Sequence, residues 1–308
     1  MKRIVIIGMA ALLCCHAVAA ESASTALPFI KIMRDPAKLA AGGAGYASIA
    51  PSAYSAFSNA STIPFYGRTA DLAVGYQSWQ PSGASTQVIS AAGAWNIHDK
   101  IGLTAAFARG AGQVYDIIDG SSTAKGSFSP SETQAAIGLS WRFLPSLAAG
   151  VSVQYAGTSL AEGHSYSAVA ADISITGRFS DFTVAAGLSS LGSAVTSTSG
   201  EKFSLPASLV LGAGYSILSG EKHATEILAD MNVFFSGSFS AAAGVRYTYN
   251  DLLSARTGFH YGSAVIPAFF SLGVGIKYSG VHVDFAYLAG GADSLMKNTI
   301  SIGLGYCF

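Results

Sequence analysis

The stretch Ile101-Gly102-Leu103-Thr104-Ala105-Ala106-Phe107-Ala108 decides the fold. Ile101, Leu103, Ala105 and Phe107 fall on one side of an extended chain and Gly102, Thr104, Ala106 and Ala108 on the other. That is the repeat of two that belongs to a strand. One face is bulky and apolar, the other small. The alternation returns at Ile137/Leu139/Trp141/Phe143, Leu147/Ala149/Val151/Val153/Tyr155, Val169/Ala171/Ile173/Ile175 and Phe182/Val184/Ala186/Leu188. It continues through Leu209/Leu211/Ala213/Tyr215, Ile227/Ala229/Met231/Val233/Phe235, Phe239/Ala241/Ala243/Val245/Tyr247, Phe259/Tyr261, Phe270/Leu272/Val274/Ile276/Tyr278 and Val281/Val283/Phe285/Tyr287. With Leu72 to Trp79, Val88 to Ile97 and Asn298 to Phe308, these segments make about 14 strands, each near the 9–11 residues that cross a tilted membrane path.

Composition says where such strands belong. The chain has 308 residues, 17 basic and 17 acidic side chains, 35 glycines and 11% charged residues, and its mean hydropathy is +0.42. Ordinary soluble domains carry roughly 25% charged residues, so much of this surface must be hidden or given to lipid. Zero net charge excludes a nucleic-acid partner, which needs clustered Lys and Arg. No run of about 20 residues is both uncharged and strongly hydrophobic, as a spanning helix requires. Leu39 to Gly67 and Phe182 to Gly200 are diluted by Ala, Gly, Ser and Thr, and Tyr261 to Ile276 is broken by Pro267. The remaining structure whose backbone is satisfied in lipid is the closed barrel.

Turn parity agrees, since such barrels alternate tight inner turns with longer outer loops. Inner turns fall at His98-Asp99, Leu144-Pro145-Ser146, Phe179-Ser180, Ser219-Gly220-Glu221-Lys222, Asn250-Asp251 and Ser279-Gly280. Outer loops are expected at Gly110–Ser131, Gly157–Ser165, Ser189–Pro206 and Ala289–Lys297, and only Ser236-Gly237-Ser238 is short for that side. Trp95, Trp141, Phe143, Tyr155, Tyr247 and Tyr287 end the apolar rows, as interface girdles do. Charges within strands keep to the small face: Asp172, Asp230, Arg246, Arg256, Lys277 and Asp284, together with His260 and His282, are expected to face a wet lumen. The fold class is therefore all-β, a transmembrane antiparallel β-barrel of about 14 strands, in which outer-membrane lipid is the first partner.

Residues 1–20 read as a secretory signal, with Met1-Lys2-Arg3 as the basic end, Ile4 to Cys15 as the apolar run and Ala17-Val18-Ala19-Ala20 as the cleavage site. Cleavage removes Cys14 and Cys15, which leaves Cys307 with no internal disulfide partner. Residues 21–68 lack alternation, and residues 69–308 form the barrel. Asp35-Pro36-Ala37-Lys38-Leu39-Ala40-Ala41 looks like a helix start with proline in its first turn, and Gly42-Gly43-Ala44-Gly45 ends it. A barrel of this width is not filled by its own side chains, so the Ala/Gly/Ser-rich segment fits the lumen as a partly helical plug. Without a Lys-Ser or Lys-Thr after them, the glycines do not read as a phosphate cradle.

Leu27-Pro28-Phe29-Ile30-Lys31-Ile32, the run from Asp35 to Gly45 and Pro51-Ser52-Ala53-Tyr54-Ser55-Ala56-Phe57-Ser58-Asn59-Ala60 together resemble the start of PorV/PorQ-type proteins. These are relatives of the FadL long-chain fatty-acid transporters, found chiefly in Bacteroidota. Their pattern is AAGMGGA followed by D-x-x-A-x-x-x-NPA. This chain keeps Asn59, has Ala60 in place of the proline and Pro51-Ser52 in place of the acidic residue. The resemblance implies a 14-stranded outer-membrane barrel with an N-terminal hatch in which Gly42, Gly43, Gly45 and Asn59 take part. The final strand, with Ile300, Ile302, Leu304, Tyr306 and Phe308 on its apolar row, resembles the assembly signal read by the barrel insertion machinery.

Chemistry is thin. His16 leaves with the signal; His98, His164 and His223 sit in turns or loops. His260 faces inward, and His282 shares that face with Asp284, where a hydrogen bond or a salt bridge with Lys277 or Arg256 is the plainest role. Gly163-His164-Ser165-Tyr166-Ser167 nearly imitates a nucleophile elbow but ends in serine and lies in a loop. No metal-ligand spacing and no cofactor motif is visible, and no enzymatic activity is expected. The resemblance implies a docking or shuttle component of a secretion or envelope-assembly machine, as in type IX secretion, with an envelope protein or secreted cargo as partner. The alternative is a FadL-like passive transporter of a small hydrophobic ligand, gated by the plug and with an uncharged early lumen.

Overall fold

The structure is a computed structural model that describes residues 25–79, 85–118, 124–198, 200–220, 222–263, 265–291, 294 and 296–308. The expected signal over residues 1–20 and Glu221 of the expected inner bend lie outside the described residues.

The strands are, in chain order, β1 (Ala70–Trp79), β2 (Thr86–Ile97), β3 (Ile101–Ala111), β4 (Tyr115–Ile118), β5 (Ala124–Phe128) and β6 (Ser131–Leu144). Then come β7 (Leu147–Ala161), β8 (His164–Phe179), β9 (Phe182–Gly192), β10 (Val195–Thr196), β11 (Lys202–Phe203) and β12 (Ser208–Ser219). The last six are β13 (His223–Phe234), β14 (Phe239–Tyr249), β15 (Leu253–Tyr261), β16 (Phe269–Tyr278), β17 (Val281–Gly290) and β18 (Thr299–Cys307). Fourteen of them close into one antiparallel barrel, while β4–β5 and β10–β11 are separate hairpins within outer loops. β18 closes on β1 in a register that runs from Asp71↔Cys307 to Ser78↔Ile300. Closure gives every spanning strand two ladder neighbours, the only way a sheet satisfies its backbone in hydrocarbon.

Side chains follow the parity of the sequence. Along β3 every second residue from Ile101 is exposed, and those between are buried. Ile137, Trp141 and Tyr278 are 66%, 61% and 75% exposed on the outer wall, where lipid covers them. At the tight-turn rim, His98-Asp99, Asn250-Asp251 and Ser279-Gly280 all have positive φ. Two successive positive φ values are the type I′ geometry, whose twist matches that of the strands it joins; two residues separate Tyr278 from Val281, and three separate Ile97 from Ile101 and Tyr249 from Leu253.

One expected loop is not a loop. Between Gly157 and Ser165 the ladder of β7 and β8 continues through Gly157↔Ser167, Thr158↔Tyr166 and Ser159↔Ser165, and only Glu162-Gly163 turn. Apolar alternation stops there because the strands have left the hydrocarbon, not because pairing has stopped. Val151→Arg, on the lipid face of β7 near mid-bilayer, should therefore cost about 2–4 kcal/mol in denaturant titrations in phospholipid vesicles. Leu160→Arg, nine residues further along the same strand, should cost about 0–1 kcal/mol.

Candidate functional site

The lumen is occupied by residues 25–69. Its first turn is a 3₁₀ helix, Pro28–Lys31. The α-helix α1 (Pro36–Ala40) follows, capped by Asp35, whose carboxylate accepts from the Ala37 N–H at 2.8 Å and from the Ser52 hydroxyl at 2.6 Å. Two further 3₁₀ turns, Ala53–Phe57 and Ala60–Phe65, complete it. Gly42 and Gly43 end α1 at φ +75° and +76°, and Gly45 lies at +133°. A Cβ on Gly42 would stand 2.6 Å from the Phe259 nitrogen, so here the hatch backbone packs directly on β15. Across the lumen, a Cβ on Gly150 would stand 2.6 Å from the Ser61 nitrogen. The small inner face leaves room for this segment.

Polar anchors fix the hatch to several walls. Asp230 Oδ2 accepts from the Gly45 and Tyr46 N–H groups at 2.7 and 2.8 Å. Ser271 accepts from the Gly42 N–H at 2.8 Å and donates to the Ala40 carbonyl at 2.9 Å. Asn59 is fully buried; its amide donates to the Tyr46 carbonyl at 2.8 Å and to Thr176 Oγ1 at 3.1 Å. Arg34 donates to Gln77 and pairs with Glu132 at 3.2 Å.

The expected wet, early-uncharged lumen is thus corrected. Asp71 and Glu132 are charged groups on early strands, Asp172, Asp230 and Asp284 are buried, and all work as partners rather than as solvated groups. Arg246 pairs with Glu226 at 2.5 Å. Arg256 pairs with Asp284 at 2.6 Å, as expected of the His282 and Asp284 pair. Lys277 lies apart at the rim, on Asp251 at 2.8 Å. His282 bridges Asp71 at 3.0 Å and Asp284 at 3.1 Å, while His260 stacks on Phe269 with ring centroids 5.0 Å apart. Ile302, Leu304, Tyr306 and Phe308 face outward and Ile300 is half-buried. Parity places Asp71, Glu132 and Glu226 on the inner face, but nothing local in the sequence names their partners.

Two cavities flank the hatch. On the long-loop side, one of about 100 Å³ is lined by Met33, Leu39, Phe57, Phe234, Ile266 and Phe269 among others and reaches Lys31 and Ser189. On the tight-turn side, one of about 330 Å³ carries a cluster of ionisable groups, Asp71, Arg246, Arg256, His282, Asp284 and Cys307, in its lining. A larger concavity, about 850 Å³, lies outside on the wall between Leu72 and Val153, where lipid chains fill it.

The first cavity meets the wall at an irregularity. The β8–β9 register shifts between Ala171 and Ile173, and Ser190 has φ +58°. β12 begins at Ser208, opposite Ser189, so β9 beyond Ser189 pairs only with β8. Leu27, Phe29 and Ile30 pack there with Leu205, Ala168 and Ala170, and Lys31 donates to Ser189 and Ser208 at 2.9 and 3.0 Å. Burial lowers Lys31 to about 8, opposed by nearby Asp172.

Barrel, lumen hatch and turn parity together define an outer-membrane type of β-barrel closed by an N-terminal segment. No family model and no curated protein matches the sequence. Among solved structures, the toluene transporter TbuX of Ralstonia pickettii superposes with a TM-score of 0.63 at 12% identity, covering 94% of this chain and 100% of that one. The P. putida toluene transporter TodX gives 0.62 at 14%, covering 94% and 99%. The monoaromatic hydrocarbon channel CymD gives 0.64 at 14%, covering 92% and 99%. The fold is the plugged β-barrel that these three proteins share.

Leaving two buried N–H donors without a partner costs roughly 1–3 kcal/mol each. Asp230→Ala should therefore loosen the hatch selectively: amide exchange at residues 43–47 accelerates while β3 stays protected. For Lys31, the docked segment loses its proton near pH 8 while the released one keeps it to about 10.5. Docking should then strengthen as pH rises from about 8 to about 10.5 and be indifferent to this group below 8. Limited proteolysis of the hatch across that range reads the effect, and Lys31→Met should abolish it.

Proposed function

We propose that this protein is a non-enzymatic, passive conduit for small hydrophobic molecules in the outer membrane, delivered there by cleavage of its signal and gated by its hatch. The carrying observation is the cavity of about 100 Å³ above α1, lined by Met33, Leu39, Phe57 and Phe269 but also by Lys31, Asp230 and His260, which reaches the wall at Ser189. An apolar cavity of about 150 Å³ is enough to hold benzene, so one small aromatic molecule enters this smaller space only when its lining side chains move apart. The apolar side chains of this lining retain a ligand by burial. The fold shared with toluene transporters and a monoaromatic hydrocarbon channel supports the same ligand class.

A molecule in this cavity faces α1 below and the wall break beside it. Displacing the turn Pro28–Lys31 from Leu205 and Ser189 uncovers the stretch of β9 that lacks a β12 partner. The way out then leads sideways into lipid, the phase an apolar molecule prefers. The docking role implied by the PorV/PorQ-like start has weaker support, because the solved structures that share the fold are named as transporters and channels.

The test is uptake of radiolabelled toluene at limiting concentration by Gram-negative cells that lack hydrocarbon channels of their own. Making this protein should raise the initial rate several-fold. Ile266→Trp, which fills the cavity, should remove most of that gain without altering leakage of a hydrophilic solute. Unchanged uptake with a correctly inserted barrel, or a stoichiometric envelope protein on purification, would move the reading to docking.

A further inference from the structure

Where β1 closes on β18, three donor atoms of different chemistry converge. Asp71 and Cys307 are directly opposite one another in the register, and both turn inward. His282, on β17, stands opposite Gly305. A Cβ on Gly305 would collide with His282 Nε2, so the glycine lets the ring lean across β18 towards β1. His282 Nε2 lies 3.0 Å from Asp71 Oδ1, and Cys307 Sγ lies 3.4 Å from that same oxygen. Ligand atoms of the three residues all fall within 4.8 Å of one another.

We propose that Asp71 Oδ1, His282 Nε2 and Cys307 Sγ bind a divalent transition-metal ion of the zinc type, which fastens the closing seam of the barrel. Around a tetrahedral zinc ion with bonds of 2.0–2.3 Å, donor atoms sit about 3.3–3.6 Å apart. The carboxylate–imidazole and carboxylate–thiol separations lie within a few tenths of an ångström of that range, and with all three donors within 4.8 Å of one another, binding draws the imidazole and the thiol together. One thiolate, one imidazole and one carboxylate suit zinc; magnesium and calcium take oxygen donors.

The surroundings are those of a ligating histidine. The other ring nitrogen of His282 lies 3.1 Å from Asp284 Oδ2, and Asp284 Oδ1 is held by Arg256 at 2.6 Å. A carboxylate on the far nitrogen fixes the tautomer that presents Nε2 to a metal. All four residues stand on strands, which hold donors more rigidly than loops do. The cavity of about 330 Å³ provides the access path and room for water at the fourth position. Because the three ligands lie on β1, β18 and β17, one ion ties together the ends of the chain's barrel.

The test uses the untagged full chain in detergent, stripped with EDTA, with Co(II) alone and Zn(II) alone as probes. One equivalent should bind, Co(II) should show thiolate-to-metal charge-transfer absorption, and Zn(II) should raise the temperature at which the folded band is lost on a gel. Cys307→Ser should abolish the charge-transfer band, and His282→Gln should abolish uptake. Asp284→Asn should keep the stoichiometry and weaken affinity about 10–100-fold. The folded-band shift checks each variant for a closed barrel. For the wild-type chain alone, bound zinc should slow alkylation of Cys307 by iodoacetamide tenfold or more. Absence of stoichiometric uptake, cobalt bound without the charge-transfer band, alkylation unaffected by zinc, or wild-type binding in folded Cys307→Ser and His282→Gln each overturns the site.

Discussion

A peptide group in hydrocarbon has no water to bond to, and each unsatisfied N–H or C=O there costs several kcal/mol. Closure of β1 on β18 meets this constraint for the whole wall. It also dictates the sequence: one row of each strand must be apolar and the other must suit whatever lies inside. The chain needs no ordinary core, since lipid covers the outer row and the hatch fills the space behind the inner one. The 35 glycines and the low charge content are consequences of that arrangement.

The hatch inverts the usual relation between a loop and a scaffold. It carries little regular structure of its own, and α1 spans only Pro36–Ala40. Its backbone groups are satisfied by wall side chains instead, among them Asp230, Ser271 and Thr176 by way of Asn59. Glycines on both partners allow the close approach that these bonds need, at Gly42 on the hatch and Gly150 on the wall. Such anchoring is local, so one anchor can be lost without dismantling the barrel.

This division explains what was legible in the sequence. Strands were, because lipid imposes a period of two on adjacent residues: all fourteen barrel segments, the short Ser236-Gly237-Ser238 turn and the helix start at Asp35-Pro36 stand where the pattern puts them. The extension of β7 and β8 past Gly157 was not, because outside the bilayer the ladder persists while the hydrophobic signal does not. The inward face of Asp172, Asp230, His260, His282 and Asp284 was legible from parity. Their partners were not: Gly45 lies 185 residues from Asp230 and Asp71 lies 211 from His282, so only barrel closure and hatch insertion bring them together. The hatch fills much of the lumen and leaves a cavity of about 330 Å³ on the tight-turn side. The polar row did not reveal this, since polarity alone does not distinguish solvation by water from solvation by another segment.

The wall break between β9 and β12 follows from the same constraint. Beyond Ser189 the second ladder neighbour is missing, and the Ser190 N–H is satisfied by the Asp172 carboxylate at 2.5 Å. A ladder bond can be broken only by moving a strand that is itself bonded on its other side. The contacts that close this gap belong instead to a four-residue turn, to Leu205 and to side-chain hydroxyls. Opening there disturbs no complete ladder, whereas opening between any other pair of barrel strands exposes a row of unpaired backbone groups to lipid. The wall therefore has its least costly aperture at this position, and the half-buried Lys31 holds the turn that closes it.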